Sequence, residues 1–154
     1  MTTTNDYGEY WTKWDKYFLL YSADFPWEIA KTICMIESSL GLDKRVQAGL
    51  LNPLDVEGSK SEDGLSWGLM QLTLPAAQDF DLIASPQKLN NPEYSIMIAG
   101  KLIRRNFRRF QGIEEWTVKA YNQGAGATAQ EMAGTIQGNA AQYWKKYQEY
   151  RKLV

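Results

Sequence analysis

The stretch Ile29-Ala30-Lys31-Thr32-Ile33-Cys34-Met35-Ile36-Glu37-Ser38-Ser39-Leu40-Gly41 sets Ile29, Ile33, Ile36 and Leu40 at helical spacing, and Gly41 offers a stop. One residue breaks the apolar pattern. Glu37 follows Ile33 by four and Ile36 by one, so it shares the apolar face near the helix's C-terminal end. Burial disfavours the charged carboxylate, and the negative end of the helix dipole acts the same way. Both raise a pKa, as a general acid requires. A helix-end glutamate reaching into water is the plainer reading of this segment taken alone. Cys34, the chain's one cysteine, reads as a small buried hydrophobe.

Working outward, residues 9–22 carry Tyr10, Trp14, Tyr17, Phe18 and Tyr21 at helical spacing. Packing is the expected use of the aromatics around Trp11 and Trp14. Asp24 is a candidate N-cap, with Pro26 in the first turn of the Glu37 helix. On the other side, residues 41–66 read as a long loop rich in Gly, Pro, Asp, Ser and Lys. Trp67 to Leu74 reads as a short helix or a tight apolar segment, and Pro75 opens a helix to about Phe80. Asn91-Pro92 starts a helix carrying Ile96, Ala99, Ile103 and Phe107, closed by Gly112. Glu114 to Asn122 is another, stopping at Gln123-Gly-Ala-Gly126, and a last one runs from about Ala140 to Lys152. The expectation is a mainly α single domain over residues 1–154, with an N-terminal helix to about residue 23 and a core over 24–148.

Composition narrows the chemistry. Apolar residues make up 44 % and aromatics 13 % of 154 residues, which argues for a packed core rather than disorder. The formal net charge is −1, so nothing global draws the chain to nucleic acid or anionic lipid. The basic run Arg104-Arg105-Asn106-Phe107-Arg108-Arg109 reads as the solvated face of a helix. Histidine is absent. Ser-His and Cys-His catalysis and imidazole metal sites are therefore excluded, and with one cysteine a structural zinc site lacks its usual ligands. No cofactor and no metal are expected. The first ten residues lack the pattern of a signal peptide, and no apolar run approaches the ~20 residues of a membrane span. The expectation is a monomer made in the cytoplasm, or else a domain excised from a longer protein.

Two further segments, taken singly, read as a packed turn and a helix C-terminus. Ser66-Trp-Gly68-Leu-Met70-Gln71 puts an amide in an apolar stretch, with Gly68 allowing close approach or a positive φ. Ala120-Tyr121-Asn122 puts a phenol and an amide before a Gly-rich break. In the order Glu37-Ser-Ser, Gly68-Leu-Met-Gln71, Ala120-Tyr-Asn122, these segments resemble the lytic transglycosylase (SLT) domain family with its goose-type lysozyme-like fold. Leu89 to Ile96, Phe110-Gln-Gly112 and Tyr143-Trp144 resemble it too, so the likeness spans about 24–148. It implies a helical lysozyme-like domain with a long loop, and a small β-hairpin within its range, after the catalytic helix. It implies Glu37 as the sole catalytic acid and base. It further implies Ser38 supporting the acid or an N-acetyl group, and Ser66, Met70, Gln71, Tyr121, Asn122 and Tyr143 contacting the glycan strands of peptidoglycan. Two features depart from the family pattern: a longer interval between Glu37 and Gly68, and Asn139 where a glutamate is usual.

The resemblance implies cleavage between N-acetylmuramic acid and N-acetylglucosamine with a 1,6-anhydro product. A goose-type lysozyme reaction is the alternative; it needs a second carboxylate to activate water, for which Asp63 and then Asp55 are the candidates. A reading of another class is a non-catalytic glycan-binding or structural module in a viral particle, against which the intact Glu37 argues. The short layout without a leader suggests an endolysin-like or virion-associated protein of a bacterial virus, acting on the cell wall.

Overall fold

The computed structural model describes residues 2–61 and 64–154. Helices α1 (Tyr10–Lys13) and α2 (Asp15–Leu20) lead to α3 (Trp27–Ser38). Helix α3 is the centre of the domain: Ile29, Ala30, Ile33, Cys34 and Met35 are all buried, and α2, α7, α8 and α10 pack around it. Burying each large aliphatic side chain contributes about 1.5–3 kcal/mol. The expected helix over 9–22 is broken at Trp14, whose backbone leaves the helical region. The break has local causes. The Trp14 indole N–H donates to the Leu40 carbonyl at 2.8 Å. The buried Lys31 ammonium donates to the Trp11 carbonyl at 2.5 Å and to the Asp15 carboxylate at 2.8 Å. These aromatics therefore serve packing, as their spacing indicates.

Helix α3 ends earlier than Leu40. Ser39 and Leu40 both take left-handed backbone conformations, at φ 51° and 56°. The Ser38 hydroxyl accepts the Gly41 N–H at 3.1 Å, and Leu40 is fully buried, which offset that strain. Asp24 does not cap the helix; it pairs with Arg104 and Arg108.

The stretch 41–66 is not one loop. It holds α4 (Lys44–Leu51), capped by the Asp43 carboxylate, which accepts the Arg45 N–H at 2.8 Å. Two glycines that read as loop signals are close-approach positions. A Cβ on Gly49 would lie 2.5 Å from that of Ser59, and one on Gly58 would lie 2.5 Å from that of Ala48. A 3-10 turn at Glu57–Ser59 thus packs directly onto α4.

Strands β1 (Ser66–Trp67) and β2 (Leu72–Thr73) pair antiparallel, so residues 66–73 form a hairpin and not a helix. Gly68 has φ 76°, and a Cβ there would sit 1.9 Å from the Leu89 carbonyl oxygen. Only glycine fits that contact. Helices α5 (Leu74–Gln78) and α6 (Pro86–Leu89) then lead to α7 (Pro92–Arg109), capped by Asn91. Helix α8 (Glu114–Gln123) stops at Gly124, φ 92°. Helix α9 (Ala125–Met132) follows at once, where the sequence suggested only a Gly-rich break. It buries little beyond Thr128 and so leaves no apolar stripe to read. Helix α10 (Ala141–Arg151) returns across α3 and α8. The result is the mostly helical, lysozyme-like architecture with a small hairpin. Among the described residues no helix is long and apolar enough to cross a membrane.

Candidate active site

A cleft of about 300 Å³ opens beside the C-terminal end of α3. Glu37 faces it, with Ser66 and Gln71 from the hairpin and Tyr121 and Asn122 from the end of α8; Leu72, Ala76 and Leu102 give apolar wall. Three segments far apart in the chain thus meet at one place.

Glu37 is held from behind. Its carboxylate accepts the Tyr143 hydroxyl of α10 at 2.7 Å. Burial pushes its pKa up to about 7, against the pull of the Tyr143 bond and the Lys146 charge, which favour the ionised form. Among the described residues no lysine or arginine forms an ion pair with it. A carboxyl poised near neutrality on a cleft can both give and take a proton. Burial and the nearby Glu37 charge hold the Tyr143 and Tyr121 phenols well above their usual range, so both stay neutral donors.

The hairpin is fixed to the same frame. The Tyr121 hydroxyl donates to the Met70 carbonyl at 2.6 Å, and the Met70 N–H donates to Ser95 at 3.1 Å. Gln71, at φ 51°, donates its amide to the Gly68 carbonyl at 2.8 Å and to the Ser59 carbonyl at 3.1 Å. Its orientation in the cleft is therefore set by backbone on both sides.

Not every expected residue faces the cleft. The Met70 side chain is fully buried in the core, and only its backbone serves the site. Ser38 is buried, with its hydroxyl engaged by the Gly41 N–H and the Cys34 carbonyl at the end of α3. The Asp55 carboxylate accepts the Gly58 N–H at 3.1 Å, and Asp55 is not among the residues of the cleft. Asp63 lies outside the described residues. Besides the apolar wall, two polar residues were not expected. Ser61 lines the cleft from a stretch without a motif, and Thr73 follows from the hairpin register. Cys34 is buried with its thiol pushed up to about 12, consistent with an inert core role. The basic run forms the outer face of α7, where Arg105 pairs with Asp79 and Arg104 and Arg108 with Asp24. Among the described residues no cluster of His, Cys, Asp or Glu is arranged to hold a metal ion.

The arrangement offers one proton donor and acceptor, neutral phenols and amides at its sides, and no electrophile or thiol nucleophile. Such a set suits acid–base chemistry. No curated protein and no solved structure gave a match. The family model of the transglycosylase SLT domain matches residues 21–144. That span runs from the end of the N-terminal helices through α3, the hairpin and α8 to the first turn of α10, which carries Tyr143. The chain therefore belongs to the transglycosylase SLT domain family, whose activity is the lytic cleavage of peptidoglycan.

Proposed function

We propose that this chain cleaves the β-1,4 bond between N-acetylmuramic acid and N-acetylglucosamine without consuming water, with Glu37 acting first as acid and then as base. The observation that carries this reading is a solitary carboxyl. Among the described residues of the cleft, Glu37 is the sole carboxylate, and its pKa is raised to about 7. Two-carboxylate glycosidases need a second acid across the scissile bond.

Protonated Glu37 donates to the glycosidic oxygen as the C1–O bond breaks. The N-acetyl group of the muramoyl sugar stabilises the cation forming at C1. Ionised Glu37 then takes the proton of the muramoyl 6-hydroxyl, whose oxygen bonds to C1. The products are a 1,6-anhydromuramoyl end and a free 4-hydroxyl on N-acetylglucosamine, and Glu37 regains its proton. A pKa near 7 suits both halves, because neither transfer is strongly uphill. Asn122, exposed at the cleft, supplies an amide for the N-acetyl group, and Gln71 and Ser66 supply polar contacts along the strand.

The test is digestion of purified peptidoglycan by the wild type and by Glu37→Gln. Soluble fragments with anhydro ends from the wild type, and none from the variant, support the reading. Release by Glu37→Gln at the wild-type rate would assign the chemistry to another group.

A further inference from the structure

Helix α10 carries the Tyr143 hydroxyl that meets Glu37, and its start is seated on the buried Ala140 but lacks a side-chain cap. The stretch before it, residues 132–139, is exposed throughout. The far half of the helix is fastened elsewhere: Tyr147 and Arg151 both bond to Glu114 on α8. Tyr143 lies between that clasp and the exposed stretch.

Gln123 closes the gap. It is the last residue of α8, immediately after Tyr121 and Asn122 of the cleft. Its amide oxygen accepts the Asn139 N–H at 2.9 Å. Its amide nitrogen donates to Thr128 at 3.1 Å and to Glu131 at 3.3 Å, and Glu131 pairs with the Lys119 ammonium at 2.7 Å. The backbone at Gly138 favours glycine, and a side chain there would push on the ends of Glu131 and Gln123. Gly138 has φ 71°, and a Cβ there would lie 1.8 Å from a Glu131 carboxylate oxygen and 3.0 Å from the Gln123 amide oxygen. One side chain thus ties α8, α9 and the entry to α10 together.

We propose that Gln123 is a positioning residue: it fastens the start of α10 to the end of α8 and thereby holds the Tyr143 hydroxyl against Glu37. Without it the exposed stretch 132–139 loses this tie to α8, and the first turn of α10 gains conformational freedom about the buried Ala140. The cleft residues stay in place, because none of them sits on α10 or the stretch before it. The inference rests on the reading of Glu37 as the acid.

The experiment reads the Glu37 carboxyl directly, by carbon-13 NMR titration, so it does not depend on substrate. The groups that face Glu37 are Tyr143 and Lys146 on α10, Tyr121 on α8 and Cys34 on its own helix. The Tyr143 bond favours the ionised form, so loosening it moves the midpoint up. Gln123→Leu, close in size, is expected to raise the midpoint above the wild-type value. Gly138→Ala, which breaks the same clamp from the other strand, is expected to do likewise. Tyr143→Phe sets the full shift, and Gln123→Leu adds nothing in the Tyr143→Phe background, because both act through one bond. On peptidoglycan, kcat falls about tenfold in Gln123→Leu with KM within about twofold, as expected when a catalytic group is displaced but the groove is not. A midpoint unmoved by Gln123→Leu and Gly138→Ala, while Tyr143→Phe moves it, would overturn the role of Gln123 alone. A midpoint unmoved by Tyr143→Phe would overturn the coupling it depends on. A wild-type midpoint in the ordinary glutamate range would overturn the reading of Glu37 itself.

Discussion

Helix α10 presents two tyrosines one turn apart, and each donates its hydroxyl to a glutamate on another helix. Tyr143 meets Glu37 on α3, and Tyr147 meets Glu114 on α8. The pairs are chemically alike, but their surroundings differ. Glu114 stands in the first turn of α8, where unpaired N–H groups favour negative charge, and the Arg151 guanidinium lies 2.9 Å from it. Glu37 stands in the last turn of α3, where the dipole is reversed, and among the described residues it has no ion-pair partner. Burial is the largest influence on it, and its pKa rises to about 7. One pair is a clasp between helices, and the other leaves a carboxyl of raised pKa on the cleft. A glutamate bonded to a tyrosine therefore says little about function. Burial and the nearest cation decide it.

Four substitutions test that contrast. Glu37→Gln has the largest expected effect: removing a general acid that also serves as base lowers the rate of peptidoglycan release about 10³-fold or more. The protein should still fold, and above pH 7 it should be the more stable form. The sign follows from the proton. Folding raises the pKa from 4.5 to about 7, so the folded state holds the proton more tightly. Stability is full below the unfolded value, falls as pH rises from there to about 7, and stays low beyond. Glutamine removes that cost, and chemical denaturation at pH 8 should show a gain on the order of 1–2 kcal/mol, discounted for the partial exposure of the site.

Tyr143→Phe comes next, with kcat lower by about tenfold. For the wild type, kcat/KM should decline above about pH 7, where Glu37 loses its proton. In Tyr143→Phe that decline should move to higher pH, because the bond that favours the ionised form is gone. Glu114→Gln should reverse the pattern: stability falls by about 1–2 kcal/mol in urea unfolding, while turnover stays within about threefold. Tyr147→Phe is the smallest, costing about 1 kcal/mol and leaving the pH profile where it was. If Tyr147→Phe moved the profile as far as Tyr143→Phe does, the contrast between the pairs would fail.

Much of this was legible in the chain. The apolar repeat around Glu37 gave α3 and the acid's burial. Taken singly, the Gly68 and Tyr121-Asn122 segments read as a packed turn and a helix end; their order after Glu37, as a resemblance to the SLT domain family, is what pointed to them as the other walls of the cleft. What was not legible depends on contacts between distant residues. Gly49 and Gly58 look like loop glycines, and only the packing of one turn on another reveals why they lack a side chain. Helix α9 buries almost nothing apolar, so periodicity is silent there. Ser38 and Met70 match the family's pattern, yet Ser38 serves the end of α3 and Met70 serves through its backbone. Gln123 gave no signal, because its partner Asn139 contributes only a backbone N–H.

The claim that Glu37 works alone, passing one proton from the 6-hydroxyl to the leaving oxygen, is tested most directly by digesting purified peptidoglycan in heavy-oxygen water and weighing the fragments by mass spectrometry. The account predicts muramoyl ends lighter than reducing ends by one water and carrying no heavy oxygen. Reducing muramoyl ends with one heavy oxygen each would show that water attacks C1, and would contradict it.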